Sequence, residues 1–322
     1  MDSQPQKLPF VPPVEGCRID KLHHVGPFIT RVELTLPDGR PWVWTSRGHR
    51  FLGGISAAQA EAASEDRKAT WWWRVGRLTR VIWWTAILFM VGSTCFAVAS
   101  SAGLAPQFLG ALADSPAAIN LVFFVGSIFF TSAAYLQFLG AVNADRIAAI
   151  AHRTPPTSPL RWFAYRPGEI GWLAAFVQFV GTVLFNVNTF DVLLPGLTWL
   201  QEDVLIWAPD ALGSICFLVA SSLALVEYGH GRLIWRPGDV SWWVVNINML
   251  GSVAFGISAI YAVVVPSTGE LLDAAAVNAW TLAGAICFFV GAYLLLPELV
   301  RNLHRLVNPV STDSSTDSGT SG

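Results

Sequence analysis

Polar side chains inside apolar stretches are the residues of this chain best placed to do chemistry. Asp210 is the one formal charge well inside such a stretch, and Gln178 and Asn248 each lie three residues before a glycine in two others. A carboxylate in hydrocarbon is costly, so it marks a candidate site for a solute or a proton. Asp210, Gln178 and Asn248 form that candidate site. In the alternative interpretation, Asp210 lies near the membrane surface and the amides only hydrogen-bond between helices.

A second group of charged residues keeps a fixed spacing from glycines in the same stretches. The arginines lie fifteen residues before a glycine and the glutamates fourteen after one: Arg77, Arg166, Arg236, Glu227 and Glu298. If successive stretches cross the membrane in opposite directions, a rise of 1.5 Å per residue brings both types to one level, about 21–23 Å from their glycines. We expect this level to be an interface where the side chains anchor helices and form ion pairs between them.

No sequence pattern typical of an enzyme is present. The chain has no nucleotide-binding glycine loop, no metal-binding histidine cluster and no nucleophile–histidine arrangement. Three of its four cysteines, Cys95, Cys216 and Cys287, lie in apolar stretches, where a thiol acts as a small filler. We therefore expect no catalytic residue, no metal and no cofactor. A formal net charge of −2 argues against a nucleic-acid partner.

Composition identifies the elements that carry these residues as membrane-spanning helices. The 322-residue chain is 53% hydrophobic and 13% charged, against about 25% charged in soluble domains, and its mean hydropathy is +0.49. A helix needs about 20 apolar residues to cross the hydrocarbon core. Six stretches qualify: 81–102, 118–142, 171–190, 204–225, 241–265 and 277–296.

One residue pair recurs in all six stretches, a glycine followed four residues later by phenylalanine. Chance placement of 27 glycines and 20 phenylalanines in 322 residues predicts about two such pairs. Two residues four apart lie on one helix face. We expect a layer in which glycines let helices approach closely and phenylalanines fill the adjacent gaps; a pore-lining constriction is the alternative. The glycines are Gly92, Gly126, Gly181, Gly213, Gly251 and Gly284.

The spacings also predict a two-helix hairpin that occurs three times in tandem. Trp83, Trp172 and Trp242 lie nine residues before the glycines of the first, third and fifth stretches. The predicted fold is therefore an all-α integral membrane protein with six transmembrane helices in three two-helix repeats. All 20 lysines and arginines lie before the first stretch, after the last, or in the loops after the second and fourth. Since basic loops stay in the cytoplasm, we predict that both termini are cytoplasmic.

The chain is expected to have three parts. Residues 1–70 form a cytoplasmic segment with a short β-hairpin, and a linker helix follows at 57–67. Residues 71–300 form the transmembrane domain. Residues 301–322 form a cytoplasmic tail whose low complexity predicts disorder.

The N-terminal hairpin requires a neighbour, because a lone hairpin is marginally stable in water. It is expected to pack on a third strand near residues 50–52, on the membrane, or on a protein partner. Arg40, Arg47 and Arg50 lie beside its tryptophans. They suit either anionic lipid headgroups or water.

The stretches 166–190 (RPGEIGWLAAFVQFVGTVLFNVNTF) and 236–264 (RPGDVSWWVVNINMLGSVAFGISAIYAVV) resemble a family of uncharacterised bacterial inner-membrane proteins. Their hairpin, a tryptophan followed by Gly-Ser/Thr-x-x-Phe, is similar to the small two-helix YrhK-type membrane domain. The resemblance covers about residues 71–300. It implies a location in the bacterial cytoplasmic membrane, and it implies no activity, ligand or catalytic residue.

The function that we favour from the sequence is a non-enzymatic, multi-pass inner-membrane protein. It would be a scaffold, sensor or assembly factor, with lipid around its helices and a protein partner for its N-terminal segment. The alternative is a carrier or channel for a small solute that uses Asp210 and the intramembrane amides.

Overall fold

The computed structural model describes residues 8, 16–52, 81–144 and 159–307. A three-stranded antiparallel sheet comes first, with strands β1 (Arg18–Val25), β2 (Phe28–Thr35) and β3 (Pro41–Thr45) in that order. A seven-residue helix, α1 (Ser46–Leu52), follows directly. The remaining helices are α2 (Val81–Leu104), α3 (Pro116–Val142), α4 (Ile170–Asp191), α5 (Trp199–Gly229), α6 (Val240–Tyr261) and α7 (Ala274–Val307).

Helices α2 to α7 are long and apolar enough to cross a membrane. The chain is therefore a multi-pass membrane protein, and the predicted all-α membrane fold with six spanning helices is confirmed. Helix α5 includes one π-helical turn, Asp203–Trp207. Between α6 and α7 lies a small hairpin of strands β4 (Val264–Val265) and β5 (Glu270–Leu271).

The six spanning helices form a closed ring in chain order. Each packs on the helix before it and the helix after it, and α7 returns to pack along α2. Local chemistry fixes several of the helix ends. Ser115 caps the start of α3 by accepting a hydrogen bond from the Ala118 amide, with Pro116 in the first turn. Asp239 caps α6 in the same way through the Ser241 amide, at 2.8 Å.

Within each hairpin the two predicted glycines lie face to face. A Cβ atom added to one glycine would lie 2.9–3.1 Å from the carbonyl oxygen of the other, in the pairs Gly92 and Gly126, Gly181 and Gly213, and Gly251 and Gly284. Real Cβ atoms do not approach backbone oxygens so closely without a shift, so a larger side chain would separate the helices. This is the close backbone packing that small residues permit between membrane helices.

The six phenylalanines meet on the axis of the bundle, and we call them the phenylalanine layer. They are Phe96, Phe130, Phe185, Phe217, Phe255 and Phe288. Their neighbouring ring centroids are 5.0–6.3 Å apart, and the contacts connect all three hairpins. All six rings are buried. Such ring contacts fill the axis at this level, which favours packing over a pore constriction.

The N-terminal sheet has its own small core of Val32, Leu34, Trp42 and Trp44, all at most 4% exposed. The prediction of a third strand near residues 50–52 is wrong. The third strand is β1, which precedes the hairpin and pairs with β2. Residues 46–52 are helical instead, because the Thr45 hydroxyl accepts a hydrogen bond from the Gly48 amide at 3.3 Å and thereby caps α1.

The predicted boundary at residue 300 is also wrong. Helix α7 continues through Pro297 to Val307, so residues 301–307 are helical rather than part of a disordered tail. Asn302, which follows the spanning segment Ala274–Leu299, is buried. Residues 308–322 and the predicted linker helix at 57–67 lie outside the described residues.

Candidate functional site

The sheet lies against one end of the bundle, which we call the proximal end; the opposite end is the distal end. Fourteen residues after the glycines of α3, α5 and α7, the chain places Gly140, Glu227 and Glu298 at the proximal end. Helix α1 packs on α3, α4, α5 and α7 at this end. It therefore lies over the axis of the ring.

Arg47 of α1 forms a two-point ion pair with Glu298 of α7. Its Nε and Nη2 donate to Oε1 and Oε2 of the carboxylate at 2.9 and 3.1 Å. The side chains are only 8% and 2% exposed. Paired donors in this planar geometry make a strong and directional contact. The Ser241 hydroxyl donates a further hydrogen bond to Oε1 of Glu298 at 2.6 Å.

Arg50 of α1 forms the second ion pair, with Glu227 of α5. Its Nη2 donates to Oε2 at 2.8 Å, and the Ser46 hydroxyl donates to Oε1 at 2.5 Å. The side chains of Arg50 and Glu227 are 5% and 0% exposed. Burial lowers the pKa of Arg50 from its usual value, and the Glu227 carboxylate opposes that shift. The carboxylate is therefore what makes a charged guanidinium tolerable at this depth.

Two glycines give α1 the room to lie so close to the helices. A Cβ atom at Gly140 would lie 2.8 Å from the carbonyl oxygen of Arg50. A Cβ atom at Gly171, in the first turn of α4, would lie 2.7 Å from Cδ of Arg50 and 2.8 Å from Oε1 of Glu227. Side chains at these two positions would push α1 away from the bundle.

The sheet makes a second contact with the bundle at the loop after α5. Val25 of β1 packs on Gly231, with its Cγ2 3.1 Å from the position of a Cβ there. The Thr30 hydroxyl and His230 Nδ1 are 2.9 Å apart. Burial is the main cause that lowers the pKa of His230 to about 4. The ring is therefore neutral near pH 7.

His49 lies on the other side of α1, in the core of the sheet. Its ring packs at 5.5–5.6 Å from those of Trp42 and Trp44, and its Nδ1 lies 2.9 Å from the carbonyl oxygen of Thr45. Burial lowers the pKa of His49 to about 4. A neutral His49 thus belongs to the docked arrangement.

A third charged pair extends the network toward the surface. Arg301 lies 2.5 Å from Asp239, and it donates to the Ser241 hydroxyl at 2.6 Å. Burial alone would raise the pKa of Asp239, but the Arg301 guanidinium and the hydrogen bond from the Ser241 amide act against burial, and the pKa is lowered. The α6 cap, the Arg301 pair and the Arg47 pair thus share Ser241.

A cavity of about 50 Å³ lies in the bundle between α1 and the phenylalanine layer. Arg47 and Arg50 line its proximal side, and Phe217 and Phe288 of the phenylalanine layer line it deeper in the bundle. Its polar wall is made by three amides and two hydroxyls, those of Gln137, Gln178, Asn248, Ser221 and Ser252. A polar chamber of this size can hold a few waters or one small polar molecule.

The side-chain amides that line the cavity have donors and acceptors with which a bound molecule could form hydrogen bonds. Gln137 Nε2 donates to Gln178 Oε1 at 2.9 Å. This hydrogen bond leaves the side-chain nitrogen of Gln178 and the side-chain oxygen of Gln137 available for further hydrogen bonds. The side chain of Asn248 makes no hydrogen bond to any residue in the described part of the chain. The Ser221 and Ser252 hydroxyls bond each other at 2.7 Å.

The structure separates Asp210 from the two amides with which we grouped it. Gln178 and Asn248 line the cavity, whereas Asp210 does not. All three precede a glycine by three residues, but α5 runs opposite to α4 and α6. The same offset therefore places Asp210 on the distal side of the glycine layer and the amides on the proximal side. The prediction that these three residues form one site is wrong, whereas Gln178 and Asn248 line the same cavity.

The predicted ion pairs of Arg166 and Arg236 with the glutamates are not formed. Glu227 and Glu298 contact Arg50 and Arg47 instead. Arg166 pairs with Glu169 in its own loop at 3.2 Å, and Arg236 is exposed. Arg77 lies outside the described residues. The expectation that Arg47 and Arg50 meet water or lipid is wrong as well, because both are buried.

Sequence reasoning missed Ser46, Arg47, Arg50 and Gln137 as site residues. The signal for the arginines was charge balance: Glu227 and Glu298 end apolar helices, and two arginines three residues apart offered partners of the right number. Gly140, which stands where the other hairpins carry glutamate, was the sign that another segment lies against α3. Neither signal identifies α1 without the fold.

The comparisons with known proteins add no analogy to this geometry. No family model, no curated protein and no solved structure matches the chain.

Proposed function

We propose that the protein is a non-enzymatic sensor of the bacterial inner membrane, whose N-terminal sheet docks on the helix bundle or leaves it according to the state of the bundle. The observation that carries the proposal is that α1 covers a polar cavity through two buried ion pairs, Arg47–Glu298 and Arg50–Glu227. Buried pairs contribute little net stability when intact, but losing one partner costs roughly 3–5 kcal/mol. Contacts of this kind favour two distinct states over a graded one.

The site also explains how a change in the bundle would reach the sheet. Glu227 and Glu298 belong to helices α5 and α7, and the cavity lies between those helices and their neighbours. A movement of either helix displaces a carboxylate from its arginine. Once released, α1 and the sheet would be free to meet a protein partner, which is the role that we propose for the segment.

The orientation that we propose places the proximal end in the cytoplasm. It is supported by the basic residues of the chain, which all lie in segments connected to that end. The bacterial inner membrane is supported by the resemblance of residues 71–300 to bacterial membrane hairpins. The non-enzymatic assignment is supported by the lack of a catalytic pattern in the sequence.

We also propose that the three hairpins are repeats of one unit. In support, Trp172 and Trp242 each donate their indole N–H to a carbonyl oxygen eight residues earlier, those of Ala164 and Ile234, both at 2.7 Å. The equivalent positions of Gly140, Glu227 and Glu298 also meet at one place. A relationship to the YrhK-type domain stays a prediction.

The sensor proposal is tested by changing the cavity without touching α1. Asn248→Leu removes the amide and adds apolar bulk, and hydrogen exchange of the α1 amides is followed by mass spectrometry in lipid nanodiscs. We expect exchange to change by about tenfold or more, equivalent to ~1.4 kcal/mol. Leu250→Ala, on the lipid-facing side of the same helix with 61% exposure, is the control and should leave exchange unchanged. Equal α1 exchange in the two variants would contradict the sensor proposal and would indicate that the sheet is a static scaffold.

A carrier for a small polar solute is the second candidate, and the cavity is the observation that favours it. The cavity lies between α1 and the phenylalanine layer, and its wall includes amides and hydroxyls that a small solute could bind. Uptake of urea and of nitrate into proteoliposomes tests this function. A rate above that of empty liposomes supports a carrier if Asn248→Leu removes it; rates equal to empty liposomes exclude these two solutes.

A further inference from the structure

The cavity under α1 combines a small volume with positive and hydrogen-bond-donating walls. We propose that it is a binding site for a small oxyanion of about four non-hydrogen atoms, of the size and charge of nitrate, formate or bicarbonate. The inference deepens the proposed sensor function by naming the ligand class that the bundle would detect. Only the consequence of binding, a change in the docking of the sheet, rests on the proposed sensor function, because the anion can bind while the sheet stays docked.

Volume sets the upper limit on the ligand. One water needs about 10–15 Å³ of cavity measured in this way. A cavity of about 50 Å³ therefore accommodates the equivalent of about four waters, or one molecule with a similar number of heavy atoms. Sugars, amino acids with long side chains and nucleotides are too large for it.

The arrangement of charge favours an anion over a neutral molecule. Arg47 and Arg50 line the cavity, whereas Glu227 and Glu298, their partners, are not among the described residues that line it. No other aspartate or glutamate of the described chain lines it either. An anion in the cavity would therefore lie nearer to two guanidinium groups than to their carboxylates, in a medium where charges interact strongly.

Hydrogen-bond donors line one part of this space, and apolar side chains such as Phe89, Val244 and Leu295 line the rest. Each guanidinium carries five N–H groups in a planar fork suited to oxyanions. The Gln178 amide uses its oxygen to accept from Gln137, so its nitrogen is the group with donors to offer. Asn248, whose side chain makes no hydrogen bond in the described part of the chain, adds a second amide donor from α6. These side chains come from α1, α4 and α6, so the site is complete only when α1 is docked.

A bound anion would affect the docking because it shares the guanidinium groups with Glu227 and Glu298. An anion that leaves both ion pairs intact adds contacts to α1 and holds it on the bundle. An anion that competes with either carboxylate weakens the corresponding ion pair. Whether the anion slows or accelerates hydrogen exchange of the α1 amides is therefore measured separately from whether it binds.

The test compares nitrate with urea, two planar molecules of four heavy atoms that differ in charge. Full-length protein in detergent is unfolded thermally at constant ionic strength, with sodium nitrate replacing sodium gluconate, whose anion is too large for the cavity. We expect nitrate to raise Tm in a saturable way, by roughly 3–8 °C near saturation. Urea at equal concentration should give no such rise. No nitrate-dependent rise, or an equal rise with urea, would overturn the proposal.

Two variants locate the effect. Asn248→Asp places a negative charge in the cavity with almost no change in shape, and should weaken apparent nitrate affinity about tenfold or more. Asn246→Asp is the matched control, because the Asn246 amide bonds its own helix at Trp242 and does not line the cavity. Each variant is compared with its own Tm in gluconate. An undiminished nitrate response in Asn248→Asp would place the anion elsewhere, whatever the α1 exchange experiment shows. Should Asn248→Asp not fold, Asn248→Ala answers the same question with a smaller expected loss.

Discussion

Ser46 and Ser241 make the same hydrogen bond to two different glutamates. Ser241 lies on α6 and donates to Oε1 of Glu298 at 2.6 Å, whereas Ser46 lies on α1 and donates to Oε1 of Glu227 at 2.5 Å. Ten residues before its glycine, α4 carries Gly171 where α6 carries Ser241. The N-terminal segment thus supplies to the α4–α5 hairpin a hydroxyl that the α6–α7 hairpin contains itself.

This relationship predicts that Gly171→Ser displaces α1. The new hydroxyl would bond Glu227 from within the hairpin, and its Cβ would overlap Cδ of Arg50, which lies 2.7 Å from that position. We expect hydrogen exchange of the α1 amides to accelerate about tenfold or more. Gly168→Ser, in the preceding loop with no atom within 4 Å of the added Cβ, should have no effect. Unchanged exchange in Gly171→Ser would show that α1 does not depend on this contact.

Gly140→Ala should destabilise the protein, although helix propensity alone predicts that it stabilises. In an isolated helix, glycine to alanine stabilises by roughly 1 kcal/mol. Here the added Cβ would lie 2.8 Å from the Arg50 carbonyl, so we expect a lower Tm and faster α1 exchange. Gly229→Ala, at the end of α5 with its nearest contact at 3.9 Å, should be neutral or stabilising. If both variants stabilise equally, the close approach of α1 to α3 is wrong.

The Arg47–Glu298 pair should behave as a buried pair in a double-mutant cycle. Glu298→Gln leaves Arg47 buried without its carboxylate, and we expect a loss of roughly 3–5 kcal/mol in the free energy of unfolding. Arg47→Met combined with Glu298→Met should recover most of that loss, since apolar replacement of both partners is often neutral. The exposed Arg40–Asp38 pair, at 57% and 49% side-chain exposure, is the control: Asp38→Asn should change stability far less than Glu298→Gln, because solvent screens an exposed pair. The cycle also needs the single variants Arg47→Met and Glu298→Met, and additive effects of these two substitutions would mean that the pair is not coupled.

The lowered pKa of His49 predicts that the protein loses stability in mild acid. Its pKa in the folded protein is about 4, below the ordinary value of about 6.5, so the unfolded chain binds the proton more readily. The stabilising contribution is therefore complete above pH 6.5 and is lost as pH falls toward 4. Between pH 7 and pH 5 the loss is about 2 kcal/mol.

The measurement for His49 is the free energy of unfolding at both pH values in wild type and His49→Phe. The variant keeps a ring between Trp42 and Trp44 and removes the titrating group. Its loss between pH 7 and pH 5 should be smaller by about 2 kcal/mol. Equal pH dependence in the two proteins would assign the acid sensitivity to other groups, among them His230, whose pKa is also about 4.

The membrane part of the fold could be predicted because its signals are local. Length and apolarity identify six spans, and the Gly–Phe pair, which occurs once in each span, predicts a layer of close helix packing. The α7 extension to Val307 was not predicted because hydropathy gives no signal for a helix after its apolar run ends. The π-helical turn of α5 also has no signal in hydropathy.

The site could be predicted only in part, because it is built by contacts between distant segments. Gln178 and Asn248 were found from their spacing, whereas Asp210 shares the spacing but lies on a helix of opposite direction. Glu227 and Glu298 were placed at the correct level, yet their partners come from a segment about 180 and 250 residues earlier. Pairing between such distant residues depends on the tertiary arrangement, which no local pattern contains.

A distance between two spin labels shows whether Glu227 and Glu298 hold the N-terminal sheet on the bundle. Asp38, in the turn between β2 and β3, and Leu233, in the loop after α5, are both exposed. Each is replaced by cysteine and labelled after the four native cysteines are replaced. In lipid nanodiscs we predict one narrow distance distribution, which broadens when Glu227→Gln and Glu298→Gln are combined. A broad distribution in the parent protein, or a narrow one that survives the loss of both carboxylates, would contradict docking through these two glutamates.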